Sequence, residues 1–197
     1  MPLNTGKKRL VILGCGWAGA RLARDIDYID KYDLTIISSK NHMVFTPLLA
    51  SSCVGTVHNQ SVIENIRHLQ PGLRLPQNHF YLAHAKNIDT HNNTIECVSD
   101  NNSKFKIGFD KLVIATGGQP LTFNIPGVHE NTYFLKNLND SIKIRKKFLE
   151  NICMAGIPNL VTSERNKLLH FVIVGGGPTG VELASEISNF INEDMSS

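Results

Sequence analysis

The chain opens with an apolar run, an amphipathic stretch and a second apolar run. Residues 10–13 and 34–37 are short runs of the kind found in buried parallel strands. Between them, apolar residues recur at helical spacing on one predicted face, namely Ala18, Leu22, Ile26 and Ile29, with Ala23 beside them. This order predicts a βαβ unit, the building block of a parallel sheet.

The middle of the chain carries a pattern of strands. Apolar runs lie at residues 80–83, 94–98 and 104–109, and in the last of them apolar residues alternate with lysine and glycine. Such alternation is typical of half-exposed strands. We therefore predict an antiparallel meander inserted into the parallel sheet, which resumes with the apolar run at residues 111–115.

Two segments before the meander have less regular patterns. Residues 41–55 are apolar without a strand or helix period, and Pro47 argues against a central strand. A buried loop and the wall of a ligand pocket account for this segment equally well. Ser61 and Glu64 have the spacing of a capping box, which predicts a short helix through Leu69, closed by the Pro-Gly pair that follows.

Beyond residue 120 the pattern predicts a helix, a strand and a second helix. Ile144, Phe148 and Ile152 recur at i, i+4 spacing in a helix that begins near residue 140 and ends before residue 156. Its basic residues fit either anionic lipid or, in the favoured interpretation, a solvated face: Lys143, Arg145, Lys146 and Lys147. Residues 169–174 then predict a buried strand. Residues 181–191 predict a helix with one apolar stripe, formed by Val181, Ala184, Ile187 and Ile191.

Composition and charge narrow the functional classes. Of the 197 residues, 42% are hydrophobic and 19% charged, as in a soluble globular protein. The net charge of +3 comes from dispersed basic residues and predicts no nucleic-acid partner. No apolar run is long enough to span a bilayer, and residues 1–9 are too short for a signal or transit peptide.

The positions of the cysteines bear on the cellular compartment and on disulfide and zinc sites. Cys15, Cys53, Cys97 and Cys153 stand far apart, without a C-x-x-C pair or the spacing of a zinc site. This pattern suits a reducing compartment and argues against a disulfide scaffold. We predict no metal site.

A glycine motif directly follows the first predicted strand. Gly14, Gly16 and Gly19 have the spacing G-x-G-x-x-G, which between a strand and a helix is the fingerprint of dinucleotide binding. Gly14 permits the tight turn, Gly16 lets the backbone approach a pyrophosphate, and Gly19 lets the helix pack closely on the strand. The helix N-terminus would add backbone N–H groups and partial positive charge.

The end of the second predicted strand departs from this fingerprint. An acidic residue is expected there to bind ribose hydroxyls, but the sequence has Ser38, Ser39 and Lys40. The serine hydroxyls can still bind a ribose, and Lys40 could favour a phosphate-bearing ligand. The alternative is a defective site.

Two later segments also suit a ligand. Thr116 and Gly117 follow the strand that resumes the sheet, and their small size leaves room for a ligand or for nearby backbone. Gly175, Gly177 and Gly180 then repeat the G-x-G-x-x-G motif, again between a predicted strand and a predicted helix.

Two such motifs in one chain predict a protein that holds two dinucleotides, in practice FAD and a nicotinamide cofactor. The reduced nicotinamide would give hydride to the flavin, which would pass electrons to a second acceptor. Disulfide-reductase flavoenzymes carry a close cysteine pair after the first βαβ unit, whereas Cys53 stands alone. A diffusible acceptor such as a quinone is therefore favoured. A flavin monooxygenase also has two glycine motifs but leaves residues 45–50 unexplained.

Three segments together resemble the type II, or alternative, NAD(P)H dehydrogenases, the non-proton-pumping NAD(P)H:quinone oxidoreductases: residues 14–19, 41–51 and 175–182. The Phe-Thr-Pro-Leu-Leu stretch at residues 45–49 is the most specific of them, and the resemblance runs from about Lys8 to the end. The expected fold class is α/β, Rossmann-like and binding two dinucleotides (FAD and NAD(P)), with the antiparallel meander as an insertion and a truncated second domain.

The resemblance implies FAD at the first motif, NADH or NADPH at the second, and ubiquinone as electron acceptor. It also implies peripheral attachment to the mitochondrial inner membrane, and a homodimer is one assembly to consider. By position, the residues that would hold FAD are Gly14, Gly16, Trp17, Ala18, Gly19, Ser38, Ser39, Lys40, Thr46, Pro47, Thr116 and Gly117. Those that would hold the nicotinamide nucleotide are Gly175, Gly177, Pro178, Thr179, Gly180 and Glu182, the last at the nicotinamide–flavin junction. No acid–base residue is assigned, because hydride transfer needs none here.

The expected domains are an FAD-binding domain at residues 1–120, a crossover and helix at 121–168, and the start of an NAD(P)H-binding domain at 169–197. Members of the resembled family continue well past the position of Ser197, so the resemblance implies that this chain covers only the first part of such an enzyme. We predict that the chain alone transfers no hydride. Two functions stay open: a flavin-dependent NAD(P)H:quinone oxidoreductase, and a catalytically inert FAD- or nucleotide-binding fragment.

Overall fold

The computed structural model describes residues 5–27 and 31–194. Ile29, the last residue of the apolar stripe predicted for the first helix, lies outside these residues. The chain divides into two compact units, which are described separately below. The first unit comprises Met1–Val44 and Glu64–Gln119, and the second comprises Phe45–Ile63 and Pro120–Ser197.

Sixteen regular elements follow one another within the described residues. The strands are β1 (Lys8–Leu13), β2 (Tyr32–Ser38), β3 (His42–Val44), β4 (Ile63–Asn65), β5 (His79–Leu82), β6 (His84–Asp89), β7 (Thr94–Val98), β8 (Lys104–Gly108) and β9 (Lys111–Ile114). The α-helices are α1 (Trp17–Asp25), α2 (Leu49–Val54), α3 (Ile66–Leu69), α4 (Val128–Asn131), α5 (Leu138–Ala155), α6 (Thr162–Leu168) and α7 (Pro178–Asn189). Single turns of 3₁₀-helix lie at Thr46–Leu48, Asn59–Val62 and Pro71–Arg74, and a π-helical turn at Phe190–Asp194 follows α7.

A four-stranded parallel sheet forms the centre of the first unit. Its strand order is β5-β2-β1-β9, and each neighbouring pair is parallel. The helix α1 joins β1 to β2, which confirms the predicted βαβ unit. A separate antiparallel sheet of β6, β7 and β8 confirms the meander and, with the parallel sheet, the α/β fold class.

The two faces of the parallel sheet are covered differently. Leu10 and Ile12 of β1 belong to a core cluster that contains Ala20 and Ala23 of α1 and Ile66 of α3. The intervening residues of β1 point to the other face and pack in a second cluster with the meander: Val11 and Leu13, with Ile95 and Cys97. Because β1 is covered on both faces, its apolar residues run without interruption. Ala18, predicted on the buried stripe of α1, is instead exposed, because it lies at the first turn beside the glycine loop.

Two predicted boundaries before the meander are wrong. The run at residues 80–83 falls largely in β5, which pairs in parallel with β2, and the first strand of the meander is β6, which the pattern did not indicate. The capping box is absent from the first turn of α3: that helix begins at Ile66, and the side chain of Asn65 accepts a hydrogen bond from the Arg67 N–H at 2.9 Å. Ser61 lies in a 3₁₀ turn and Glu64 in β4.

Helices make up most of the second unit. Of residues 41–55, which gave no clear period, those in this unit form a 3₁₀ turn followed by the helix α2. The longest helix, α5, begins with a capping box in which Asn137 and Asp140 exchange side-chain and backbone hydrogen bonds. Phe148 of α5 is buried and lies 5.0 Å from Phe171 and 5.5 Å from Phe190, measured between ring centroids.

The predicted strand at residues 169–174 is not formed. These residues follow the C-terminus of α6, a helix that the sequence pattern did not indicate, and run without regular structure to the second glycine motif. No described strand pairs with them, so Val172 and Val174 are 72% and 89% exposed. A strand needs a hydrogen-bonded neighbour, which explains why an apolar run alone was insufficient. The apolar stripe predicted for α7 is also largely uncovered, since Val181, Ala184 and Ile191 are exposed.

Candidate nucleotide-binding site

The first glycine motif forms a tight turn between β1 and α1. Gly14 has φ +96°, a left-handed conformation suited to glycine, and its N–H donates to the Ile37 carbonyl at 2.8 Å. A Cβ atom at Gly14 would lie 2.4 Å from the Ala115 carbonyl oxygen, and one at Gly19 would lie 2.0 Å from the Gly14 carbonyl oxygen. Both positions therefore require glycine because other backbone approaches closely.

Gly16 differs from its neighbours because a Cβ atom there would meet nothing within 4 Å. It is the N-cap of α1, with extended backbone and without a side-chain cap from the described residues. Trp17 and Ala18, the first two residues of the helix, are exposed. The space beside Gly16 and the helix N-terminus form the kind of cradle that accepts an anionic group.

Ser38 and Lys40, at the end of β2, lie close to this turn. The Cys15 sulfur is 3.2 Å from the Ser38 hydroxyl oxygen and 3.0 Å from the Lys40 carbonyl oxygen. The Ser38 hydroxyl also accepts a hydrogen bond from the Lys40 N–H at 3.2 Å. Ser38 is buried, whereas Ser39 and Lys40 are exposed. Ser38 therefore stabilises the backbone at this edge, and the groups open to a ligand are those of Ser39 and Lys40.

The end of β9 completes the same edge of the sheet. The Ala115 N–H donates to the Leu13 carbonyl at 2.8 Å, which extends the pairing of β9 with β1. Thr116 and Gly117 follow and are exposed, and Gly117 has φ +71°. A Cβ atom at Gly14 would lie 3.1 Å from the Thr116 Cα. The structure thus brings the first glycine loop, residues 38–40 and residues 116–117 to one edge, as expected for the carboxyl ends of parallel strands.

The second glycine loop has the same local geometry as the first. Gly175 has φ +109°, and a Cβ atom at Gly180 would lie 2.1 Å from the Gly175 carbonyl oxygen. Gly177 is the N-cap of α7, with extended backbone, and a Cβ atom there would meet nothing within 4 Å. Pro178 occupies the first turn of the helix, where its missing N–H costs nothing. The loop therefore forms its turn and its open cradle without the neighbouring strands.

The remaining predicted residues belong to the second unit. Thr46 and Pro47 are exposed in the 3₁₀ turn that leads directly into α2. Thr179 and Glu182 are exposed on the first turns of α7. The carboxylate that makes tertiary contacts is instead Glu186, one helical turn further on, which accepts hydrogen bonds from Ser51 and Thr56. The i, i+4 spacing from Glu182 was the only signal in the sequence for this residue.

The chemistry of the described residues fits nucleotide binding better than metal or thiol chemistry. No group of three or more His, Cys, Asp or Glu residues within 5–27 and 31–194 could hold a metal ion. Cys15 is a buried thiol, and burial raises its pKa. Its sulfur is therefore protonated at neutral pH and serves as a packing and hydrogen-bonding group of the loop. None of the helices in the described part is long and apolar enough to cross a membrane.

Three proteins of known identity resemble most of this chain. The internal alternative NAD(P)H-ubiquinone oxidoreductase A1, mitochondrial, of Solanum tuberosum is 46% identical over 96% of the chain. The external alternative NAD(P)H-ubiquinone oxidoreductase B2, mitochondrial, of Arabidopsis thaliana is 43% identical over 98% of the chain. The structure of NDH2 from Plasmodium falciparum in complex with NADH matches 96% of the chain at 38% identity and a TM-score of 0.90. These relatives confirm the resemblance to alternative NAD(P)H dehydrogenases.

The matches cover only part of each relative. The chain spans 40% of the length of the Solanum tuberosum protein, 34% of the Arabidopsis thaliana protein and 38% of the Plasmodium falciparum chain. Within the chain itself, the family of pyridine nucleotide-disulphide oxidoreductases matches residues 8–195, from the first residue of β1 to beyond the helix of the second glycine loop. With both loops inside that match, the chain belongs to the pyridine nucleotide-disulphide oxidoreductase family.

Proposed function

We propose that this chain supplies the FAD loop and the nicotinamide loop of a flavin-dependent, non-electrogenic NAD(P)H:ubiquinone oxidoreductase. The observation that carries the proposal is the shared geometry of the two loops. Each has a left-handed glycine at its turn, an open glycine at the helix N-cap and a third glycine against the turn. When bound, FAD would accept hydride from NADH or NADPH and pass the electrons on to ubiquinone.

The first loop is assigned to FAD. Gly14, Gly16 and Gly19 would bind the pyrophosphate through the backbone, with Trp17 and Ala18 at the helix N-terminus. Ser39 and Lys40 would face the ribose, and Thr116 and Gly117 would line the same edge, because all four are exposed there. An open cradle at Gly16, where a Cβ meets nothing within 4 Å, supports this assignment. Residues 1–120 would form the FAD-binding domain, in which Thr46 and Pro47 would lie near the flavin.

The second loop is assigned to the nicotinamide nucleotide. Gly175, Gly177 and Gly180 would bind its pyrophosphate, with Pro178 and Thr179 on the first turn of α7. Glu182 would face the junction between nicotinamide and flavin. In this assignment residues 169–197 begin the NAD(P)H-binding domain, and residues 121–168 connect the two domains.

The proposed electron acceptor and the proposed location in the cell rest on the named relatives. The Solanum tuberosum and Arabidopsis thaliana proteins are named ubiquinone oxidoreductases and mitochondrial. We propose the same acceptor here, at a peripheral position on the mitochondrial inner membrane. A homodimer is the assembly that we would test first, by sedimentation of the purified chain with and without FAD.

Paired variants of the two loops test the assignments. In Gly16→Val the side chain fills the first cradle, and in Gly177→Val it fills the second, while extended backbone accepts valine at both positions. Calorimetric titration should show that Gly16→Val loses FAD binding and keeps NADH binding, and that Gly177→Val does the reverse. Binding of neither nucleotide by the native chain, or equal losses in both variants, would overturn the proposal.

Turnover is tested in a longer protein, since we predict that the chain alone transfers no hydride. The chain would replace the matching region of the Solanum tuberosum relative, and the hybrid would be assayed for oxidation of NADH with a soluble ubiquinone. We expect activity that either glycine variant abolishes. A hybrid that binds FAD without being bleached by NADH would instead favour the inert nucleotide-binding fragment.

A further inference from the structure

A single carboxylate in the second unit joins two segments that are far apart in the chain. The Ser51 hydroxyl donates to Glu186 Oε1 at 2.7 Å, and the Thr56 hydroxyl donates to Glu186 Oε2 at 3.0 Å. Both oxygens of Glu186 are therefore used, by residues 135 and 130 positions earlier in the sequence. Hydrogen bonds to an ionised carboxylate are shorter and stronger than those between neutral groups.

The two donors lie on either side of a helix end. Ser51 belongs to α2, and Thr56 follows Gly55, which closes that helix with φ +94°. The Gly55 N–H donates to the Ser51 carbonyl at 3.1 Å, so Ser51 and Thr56 are held at a fixed spacing. Glu186 therefore binds a preformed pair of hydroxyls and joins α2 to α7.

Each of the two helices leads to a predicted ligand contact. The turn Thr46–Leu48 runs directly into α2, and the Leu49 N–H donates back to the Thr46 carbonyl. The second glycine loop runs directly into α7, and Glu186 lies about 12 Å along that helix from Pro178. Fixing α2 on α7 therefore fixes Thr46 and Pro47 relative to Gly177, entirely within the second unit.

We propose that Glu186 is a positioning residue that holds the Thr46–Pro47 turn in register with the nicotinamide loop. The inference rests on the proposed function, because it assumes flavin beside that turn and a nicotinamide nucleotide at that loop. It gives Glu186 a role separate from that of Glu182, which is exposed at the start of the same helix. Loss of the carboxylate leaves the Thr46–Pro47 turn and the nicotinamide loop intact and changes the placement of one relative to the other within the second unit.

The variants differ in how many of the two hydrogen bonds they keep. Glu186→Ala removes both acceptors, and Glu186→Gln keeps one amide oxygen. Thr56→Val removes one donor with little change in shape. Ser141→Ala is the matched structural control, since the Ser141 hydroxyl lies 2.5 Å from the hydroxyl of Ser52 in α2 and does not touch Glu186. That variant removes a different contact of the same helix.

The readout is the fluorescence of bound flavin in the full 197-residue chain, titrated with NAD⁺, which binds without reducing the flavin. Calorimetry on the same samples reports the affinities for FAD and NAD⁺. In the native chain, saturating NAD⁺ should change the flavin fluorescence. In Glu186→Ala this change should be largely lost, while calorimetry still detects binding of both nucleotides. Glu186→Gln should restore part of it, and Ser141→Ala should keep it although it lowers the melting temperature.

The outcomes separate the two proposals. A native chain that binds neither nucleotide contradicts the proposed function. Binding of both nucleotides with no change in flavin fluorescence contradicts only the role of Glu186, as does an equal change in native chain and Glu186→Ala. If Ser141→Ala loses the response to the same extent as Glu186→Ala, the contact is a general packing interaction and the positioning role is wrong.

Discussion

The sulfur of Cys15 lies 3.2 Å from the hydroxyl oxygen of Ser38, so that the first glycine loop is joined to the end of the neighbouring strand β2. Ser38 stands where a dinucleotide fingerprint expects an acid, and its side chain faces the protein interior. The structure therefore gives the first serine of the Ser-Ser-Lys segment a supporting role in the backbone, and it leaves Ser39 and Lys40 exposed beside it.

Ser38→Ala should destabilise the chain because the Lys40 N–H loses an acceptor that is 3.2 Å away. The expected loss in the free energy of unfolding is about 1 kcal/mol, measured by urea denaturation. Ser39→Ala, at an exposed position, is the control and should change it by less than about 0.5 kcal/mol. Equal losses in the two variants would show that the buried hydroxyl contributes nothing of its own.

Gly19 and Gly16 of the first loop should lose very different amounts of stability on replacement by alanine. Gly19→Ala places a Cβ atom 2.0 Å from the Gly14 carbonyl oxygen, so the helix must move away from the turn. We expect a loss of more than about 3 kcal/mol. Gly16→Ala meets no atom within 4 Å, and its cost should stay near that of a weaker N-cap, about 1 kcal/mol. Thermal unfolding monitored by circular dichroism distinguishes the two cases.

Chemical labelling of the native chain should distinguish the exposed cysteine from the buried ones by its reactivity. Cys153 is exposed, whereas Cys15, Cys53 and Cys97 are buried, and burial raises the pKa of each of these three thiols. Iodoacetamide at neutral pH should modify Cys153 first, with the sites identified by mass spectrometry. Rapid modification of Cys15 in the folded chain would contradict its burial beside Ser38.

The same three thiols predict a pH dependence of stability. Because their pKa values are higher in the folded chain than in the unfolded chain, the folded state holds these protons more tightly. The contribution of these thiols to the free energy of unfolding is fully present below the ordinary thiol pKa of about 8.5. It is lost as the pH rises through the raised pKa values. The urea concentration at the midpoint of unfolding should therefore decrease as the pH rises above about 8.5. Replacing all three cysteines by alanine should make that decrease smaller.

A double-mutant cycle tests the end of α2. A Cβ atom at Gly55 would lie 1.7 Å from an Arg145 guanidinium nitrogen, and Gly55 has φ +94°. Gly55→Ala should cost about 1 kcal/mol for the left-handed backbone and more for displacing Arg145. In the Arg145→Ala background only the backbone cost should remain. Additive losses in the unfolding free energy would show that the two residues do not touch.

The parts of the fold that could be predicted are those dictated locally. The run that became β1 lies between two packed layers, and the βαβ order fixes its parallel partner. Gly14, Gly16 and Gly19 could be assigned three different roles from spacing alone, and their surroundings differ in the way those roles require. The contact of the Ser38 hydroxyl with Cys15 was not predictable, because no sequence pattern reports which way a side chain at a strand end points.

Segments whose structure depends on distant partners were either predicted wrongly or missed. Residues 169–174 have the composition of a strand, yet a ladder forms only with a neighbour, and no described strand provides one. The helix α2 has too few residues for a visible period, and it is stabilised by contacts such as those of Glu186 with Ser51 and Thr56. Such contacts join residues more than 100 positions apart, which periodicity cannot reveal.

The near-identity of the two glycine turns bears on how the chain would tell one nucleotide from another. FAD and a nicotinamide dinucleotide share the diphosphate that we propose these turns bind, so bare backbone offers no means of choosing between them. Discrimination must come from side chains that read the rest of each molecule. Under the proposed assignment Ser39 and Lys40, which are exposed beside the first turn, would be such side chains, and that pair is the place to alter in order to exchange the preferred nucleotide.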